Sequence, residues 1–349
     1  MSQKTNPQTQ KLFHYCSKLP DLAESFLLET GTERAISTRL QYGLELTKFF
    51  EYLESYSPIF CDVAPKEITS DMLGEISSQD ISRYLTIFKD SGMAERSLAR
   101  KRAAISSFFT YLVNNKKIEY NPVAAATKVK VHEKDHVEYL NMEEQLQLLE
   151  TAESGAGLDK RKIKYHGKYE KRDYAIILLF LDTGLRVSEL HKLNISDVDF
   201  EGNVLYVIRK GGNTQRVFFS DDAGNALRSY YDERLEKENE LTGDMPFFVT
   251  LKGNRLAIRS IQELVKKYTR AAAVGRPGGL SPHKMRASFA MESYAIDHDL
   301  LALQRAMGHS SITTTNIYAK ATEKVMEERR NNLAEARAKA SEELSSGEK

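Results

Sequence analysis

Four short segments in the second half of the chain each carry a side chain suited to a phosphate group. In TGLRVSEL, Gly184 allows a tight turn and Arg186 opens a helix. A bidentate guanidinium is thereby added where main-chain N–H groups and the helix dipole already favour an anion. Glu189, three residues on, is placed to hold that guanidinium, although the same spacing fits a purely structural Arg–Glu pair. In LSPHKMR, Ser281 as N-cap and Pro282 at the first helical position mark a helix start. His283 and Arg286 then share one face of its first turns, a cradle for one phosphate. Lys210, beside Gly211-Gly212, is either a solubilising charge or a hairpin-tip proton donor reaching into a groove. In LLALQRAMGHSSITTTNIYAK, a helix stops at Gly308, His309 follows, and a Thr-rich helix leads to Tyr318. A tyrosine is an uncommon nucleophile, suited to opening and later resealing an alkyl phosphodiester; core packing is its ordinary role. A zinc site from His283, His309 and Glu189 fits poorly, because no pair has the close spacing of a helical metal motif.

These segments need elements to hold them. Residues 1–20 are polar and Pro-containing and are expected to form a flexible arm. From 21 to 120 the apolar spacing is helical: Leu40, Leu44, Phe50 and Leu53, then Ile81, Tyr84, Leu85 and Phe88, then Leu98, Ile105, Phe108, Phe109 and Leu112. The third stripe carries a basic cluster, Arg96, Arg100, Lys101 and Arg102, on its opening turns. Residues 121–139 read as a linker that Asn121-Pro122 opens. A second domain, 140–330, starts where Asn141 and Glu144 form a capping box. In it, 152–172 reads as a basic loop before the buried helix DYAIILLFLDTG. The segment NVLYVIRKGGNTQRVFF reads as a β-hairpin, further helices follow, and 331–349 is a polar tail. The expected fold is mainly α: an N-terminal helical bundle, then an α+β domain with a small β-sheet or hairpin.

With 349 residues and 28% charged positions, the composition is that of a folded two-domain protein. The longest apolar run, Ala175 to Leu181, is far too short for a membrane span, and the opening MSQKTNPQTQ lacks a signal-peptide pattern. Cys16 and Cys61 supply neither a disulfide framework nor a four-ligand zinc site, so the chain reads as cytoplasmic. Fifty Lys and Arg against 49 Asp and Glu give a net charge of +1. A polyanion partner would have to be met by a local patch such as the one around Arg96 to Arg102, or the seven Lys and Arg between Lys160 and Arg172.

Taken in order, Arg, Lys, His-x-x-Arg, Gly-His and a Tyr nine residues later, the chain resembles the tyrosine recombinase (phage integrase) family, most closely its Xer-type bacterial members. RSLARKRAAISSFFTYL resembles the family's core-DNA-binding region, and the likeness runs from about Asp21 to Arg330. It implies catalytic roles for Arg186, Lys210, His283, Arg286, His309 and the nucleophile Tyr318, with Glu189 behind Arg186. It also implies site-specific strand exchange on double-stranded DNA through a 3′-phosphotyrosine and a Holliday junction, with no metal or ATP required. A tetramer on two sites is implied, with the segment after Tyr318 docking on a neighbour, and with a related recombinase or accessory protein as a further partner. The two domains are expected to embrace the duplex, with Arg96, Arg100, Lys101 and Arg102 as DNA contacts. Gly-Gly after Lys210 departs from the family's common Gly-Asn, and no room is expected for an arm-site DNA-binding domain. A non-catalytic helix-turn-helix regulator is the alternative, with Gly308 in the turn. The presence of every catalytic residue type in one chain weighs against it. A type IB topoisomerase shares the chemistry but not the Xer-like motifs.

Overall fold

The computed structural model describes residues 6–132, 137–209, 212–275, 277–309, 311–323 and the single residues Val325, Glu327, Arg330 and Arg337. The chain divides into two compact units, Met1–Glu133 and Lys134–Lys349. Of the expected tail, 331–349, only Arg337 is among the described residues.

The first unit is helical: α1 (Pro7–Cys16), α2 (Asp21–Glu29), α3 (Ile36–Tyr56), α4 (Ser70–Gly74), α5 (Ser78–Asp90), α6 (Glu95–Asn114) and the short α7 (Pro122–Ala125). Its core is aromatic, with Phe26, Phe49, Tyr84, Phe108 and Phe109 all fully buried. Removing each such side chain from water contributes about 1.5–3 kcal/mol. Residues 7–20 are not the expected arm. Asn6 caps α1 through its side chain on Gln8 N–H, Pro7 takes the first helical position, and Leu12, Cys16 and Leu19 are buried.

Helix α6 sorts its basic cluster by face. Leu98, Lys101, Ile105, Phe108 and Leu112 recur at intervals of three and four, so Lys101 falls on the buried stripe. Its ammonium is 2% exposed, 2.8 Å from the Glu45 carboxylate and 4.2 Å from the centre of the Phe88 ring. Lys101 therefore joins α6 to α3 and α5, which corrects its expected place on DNA. Arg102 is half-buried and donates to the Val123 carbonyl at 2.7 Å, holding α7 against α6. Arg96 and Arg100 are exposed.

The second unit is built around α10 (Glu170–Thr183), whose apolar run Ala175 to Leu181 is buried. Helices α8 (Met142–Ser154), α12 (Asp221–Glu238) and α14 (Pro282–Asp297) pack on it. The expected basic loop is corrected: between α8 and α10 lies α9 (Lys160–His166). Asp159 starts α9 by accepting from the N–H groups of Arg161 and Lys162, and His166 is buried with Nε2 2.9 Å from the Ala152 carbonyl. After α10 come α11 (Val187–Lys192) and a three-stranded antiparallel sheet in the order β1 (Val198–Asp199), β2 (Val204–Ile208), β3 (Thr214–Phe218). The register pairs Val204 with Phe218 and Ile208 with Thr214. Leu205, Val207 and Val217 face the core; Tyr206, Ile208 and Phe218 face solvent. Helices α13 (Ile258–Ala271) and α15 (Leu300–Met307) complete the unit, followed by helical residues 312–323.

Candidate active site

Four helix ends and the tip of the β2–β3 hairpin meet around two guanidinium groups. Gly184 closes α10 at φ +59°, and a Cβ there would run into the Phe289 ring, so glycine is required twice over. The chain then turns straight into α11 with Arg186 as its N-cap. Glu189 accepts from the Arg186 main-chain N–H at 2.8 Å and from Arg186 Nη1 at 2.9 Å. This arrangement fixes both the helix start and the guanidinium. Arg186 Nη2 also donates to the Gly308 carbonyl at 3.3 Å, while its side chain keeps 37% exposure.

Arg286 comes from the second turn of α14, and only 3% of its surface is exposed. It donates to the carbonyls of Gly184 and Met307, bridging the end of α10 to the end of α15. Burial and then the neighbouring charge of Arg186 lower its pKa to about 10, so it remains a cation at neutral pH. Pro282 stands at the start of α14, but the Ser281 side chain makes no capping bond; proline's fixed φ sets the turn there. His283 is solvent-exposed on that first turn. Its pKa is lowered, first by packing around the ring and then by the charges of Lys284, Arg286 and Arg186.

Helix α15 ends at Gly308, φ +58°, and His309 follows half-buried. Its Nδ1 lies 2.9 Å from the fully buried Thr315 hydroxyl. Burial, then the charges of Arg286, Arg186 and Arg209, drive the His309 pKa down to about 4, so the ring is neutral at pH 7. Tyr318 sits among Ala287, Ala290, Met291, Leu303 and Met307 of the same chain and is 3% exposed. Burial raises the pKa of the phenol, and the charges of Arg286 and Arg186 pull it back.

The structure thus brings Arg186, Glu189, Arg286, His309 and Tyr318 together, with His283 within electrostatic reach of both arginines. Lys210 lies outside the described residues, as does its neighbour Gly211. Arg96, Arg100, Lys101 and Arg102 belong to the other compact unit. Glu189 is committed to guanidinium groups, and among the described residues no three His, Cys, Asp or Glu side chains cluster as metal ligands do.

Two residues of the site were missed in the sequence. Arg209 is buried against Glu189, with Nη1 3.0–3.1 Å from both carboxylate oxygens. Its signal was parity: Leu205 and Val207 point inward, and position 209 follows in step. Thr315 lies three residues before Tyr318, on the same side of its helix.

A helical unit followed by a helical unit with one small sheet among the described residues, carrying two anchored arginines and a buried tyrosine, is the architecture of the tyrosine recombinases, which are DNA strand-transfer enzymes. The chain belongs to the phage integrase family: the model described as "Phage integrase family" matches residues 138–324, and that described as "Phage integrase, N-terminal SAM-like domain" matches 24–116. Tyrosine recombinase XerC of Caldanaerobacter subterraneus subsp. tengcongensis is 29% identical over 313 residues, covering 86% of this chain and 83% of the relative. Tyrosine recombinase XerC of Histophilus somni is 34% identical over 233 residues, covering 66% of this chain and 72% of the relative. The fold is similar to that of XerH site-specific recombinase, crystallised on palindromic difH substrate as a post-cleavage complex. That match has a TM-score of 0.68 at 20% identity and covers 93% of this chain and 94% of that one. No helix among the described residues is long and apolar enough to cross a membrane.

Proposed function

We propose that this recombinase cuts and rejoins double-stranded DNA with Tyr318 as its nucleophile. The observation that carries this reading is the burial of Tyr318 against Ala287, Ala290 and Met291 of α14 and Leu303 and Met307 of α15, the helix that bears Arg286 and the helix end that precedes His309, with the charges of Arg286 and Arg186 acting on the phenol. The phenol oxygen forms a bond to a backbone phosphorus, and the bond from phosphorus to the 5′ oxygen breaks. A 3′-phosphotyrosine and a free 5′-hydroxyl result. Arg186, Arg286 and the Nε2 face of His309 meet the charge that grows on the non-bridging oxygens, a role in which each preorganised donor is worth about 10²–10³ in rate. His283, whose pKa is lowered by burial and then by the charges of Lys284, Arg286 and Arg186, takes the phenol proton. Lys210 gives a proton to the departing 5′ oxygen. The ester stores the energy of the broken bond, so a 5′-hydroxyl from a partner duplex can reverse the step and join the two. Repeating the exchange on the second strand pair resolves a Holliday junction, which requires four active sites and thus a tetramer on two sites. The work is placed in the cytoplasm, where the DNA lies. In the helical unit, Arg96 and Arg100 are the exposed cations of α6 offered for phosphate contacts, since Lys101 is buried and Arg102 is tied to Val123.

The test is a supercoiled plasmid carrying two copies of a site that the chain itself selects from a random duplex pool. Recombination gives two smaller circles, or an inverted segment, together with Holliday junctions. Binding without any strand exchange or covalent complex would point to a DNA-reading regulator instead.

A further inference from the structure

Arg209 follows directly after β2, in step with the inward-facing Leu205 and Val207, and it is 8% exposed. Four acceptors surround its two terminal nitrogens. Nη1 lies 3.1 Å from Glu189 Oε1, 3.0 Å from Glu189 Oε2 and 3.1 Å from the Met307 carbonyl; Nη2 donates to the Ala306 carbonyl at 3.1 Å. The carbonyls of Ala306 and Met307 belong to the last turn of α15, which a helix leaves without internal partners and where its dipole favours a cation. From β3, Gln215 adds a bond to the Arg305 carbonyl at 2.7 Å. The hairpin is therefore hooked to the end of α15 by both of its strands. At its tip, Arg209 N–H donates to the Asn213 carbonyl at 2.9 Å.

We infer that Arg209 is a positioning residue for strand cleavage: it holds the Glu189 carboxylate against Arg186 and ties the hairpin to the helix end that presents His309. The inference rests on the strand-exchange reading above. Arg209 is given no phosphate contact, because Nη1 alone is spread over three protein oxygens, more than its two hydrogens can serve, whereas each terminal nitrogen of Arg186 and Arg286 meets a single one. It acts through its neighbours. One carboxylate shared between two guanidiniums cannot swing towards either alone, so Arg186 keeps one rotamer whether or not DNA is present. A lysine would keep the charge but not the planar fork that reaches a carboxylate and two successive carbonyls at once.

The experiment uses the full chain and a nicked suicide duplex built on the self-selected site. Single-turnover cleavage and DNA affinity are measured for wild type, Arg209→Met, Arg209→Lys, Glu189→Gln and the double variant Arg209→Met with Glu189→Gln. Cleavage should slow on the order of 10²-fold in Arg209→Met, the scale of one lost preorganised donor. Affinity for the duplex should stay within about twofold, because catalytic and binding contributions separate when only the reacting geometry is disturbed. Arg209→Lys, which keeps charge and bulk, should fold and bind yet remain on the order of 10-fold slow. The double variant should be no slower than the slower single one, the mark of residues acting as a unit. Normal cleavage in Arg209→Met, a fall in affinity parallel to the loss of cleavage, or single effects that multiply would each overturn the assignment. Failure of the wild-type chain to form any covalent complex would instead overturn strand exchange itself.

Discussion

The Thr315 hydroxyl lies 2.9 Å from His309 Nδ1, and Thr315 precedes Tyr318 by three residues in one helix. The helix that brings the nucleophile therefore also orients the histidine. The bond holds the imidazole through Nδ1, and the tautomer sets which of the two partners donates. Thr315→Val keeps the shape and removes the hydroxyl. Cleavage should slow on the order of 10-fold to 10²-fold, within or below the cost of losing one preorganised donor. Thr315→Ser should restore most of it, and ¹⁵N shifts of His309 should report the tautomer change in Thr315→Val alone.

Lys101 and Glu45 form a buried pair, with Gln41 holding the other carboxylate oxygen at 2.6 Å. Lys101→Met strands that carboxylate and should lower stability by about 3–5 kcal/mol in urea unfolding. Adding Glu45→Leu should recover most of the loss. Arg96→Ala and Arg100→Ala should leave stability unchanged while weakening DNA binding, each lowering the salt-dependence slope by about 1 where it meets a phosphate. Equal behaviour of Lys101 and Arg100 in both assays would contradict the division of α6 into a buried and an exposed face.

Gly308 has φ +58°, and a Cβ there would lie 2.8 Å from Arg209 Cζ and Nε. Gly308→Ala should cost about 1–3 kcal/mol from the left-handed backbone alone. Cleavage should suffer as well, because Arg209, Arg186 and His309 all register on this residue or its neighbours. An alanine variant of normal stability and activity would refute that packing.

Acid should weaken the free protein through His309. Its pKa is about 4 in the folded chain and about 6.5 when unfolded. Between those values the unfolded chain binds more protons, so stability is full above about pH 6.5 and falls as pH drops towards 4. His309→Asn should flatten that part of the stability curve. Binding of a DNA phosphate should raise the histidine pKa, visible by NMR titration with and without the duplex.

The residues that cluster around the two arginines were legible because each motif is local. Arg186 with Glu189, Pro282 with His283 and Arg286, and Gly308 before His309 are all helix-end patterns within a few residues of each other. Residues 7–20 read as an arm because their composition is polar and Pro-containing; the helix start at Asn6-Pro7 and the buried Leu12, Cys16 and Leu19 behind it decide otherwise. Asp159 likewise turned a supposed loop into α9. Lys101 was misplaced by counting charge without counting period, although its spacing from Leu98 and Ile105 put it on the core stripe. Arg209 shows the remaining limit. Strand parity marks its side as inward, but its acceptors come from α11 and α15, about 20 and 100 positions away, and no local pattern carries that.

The central claim is that Tyr318 becomes covalently joined to DNA. The direct measurement is incubation of the chain with the nicked suicide duplex, followed by denaturing electrophoresis and mass mapping of the nucleotide-bearing peptide. A protein–DNA adduct is expected on the peptide containing Tyr318, absent in Tyr318→Phe while duplex binding persists. An adduct that survives Tyr318→Phe, or that maps to another residue, would contradict the claim.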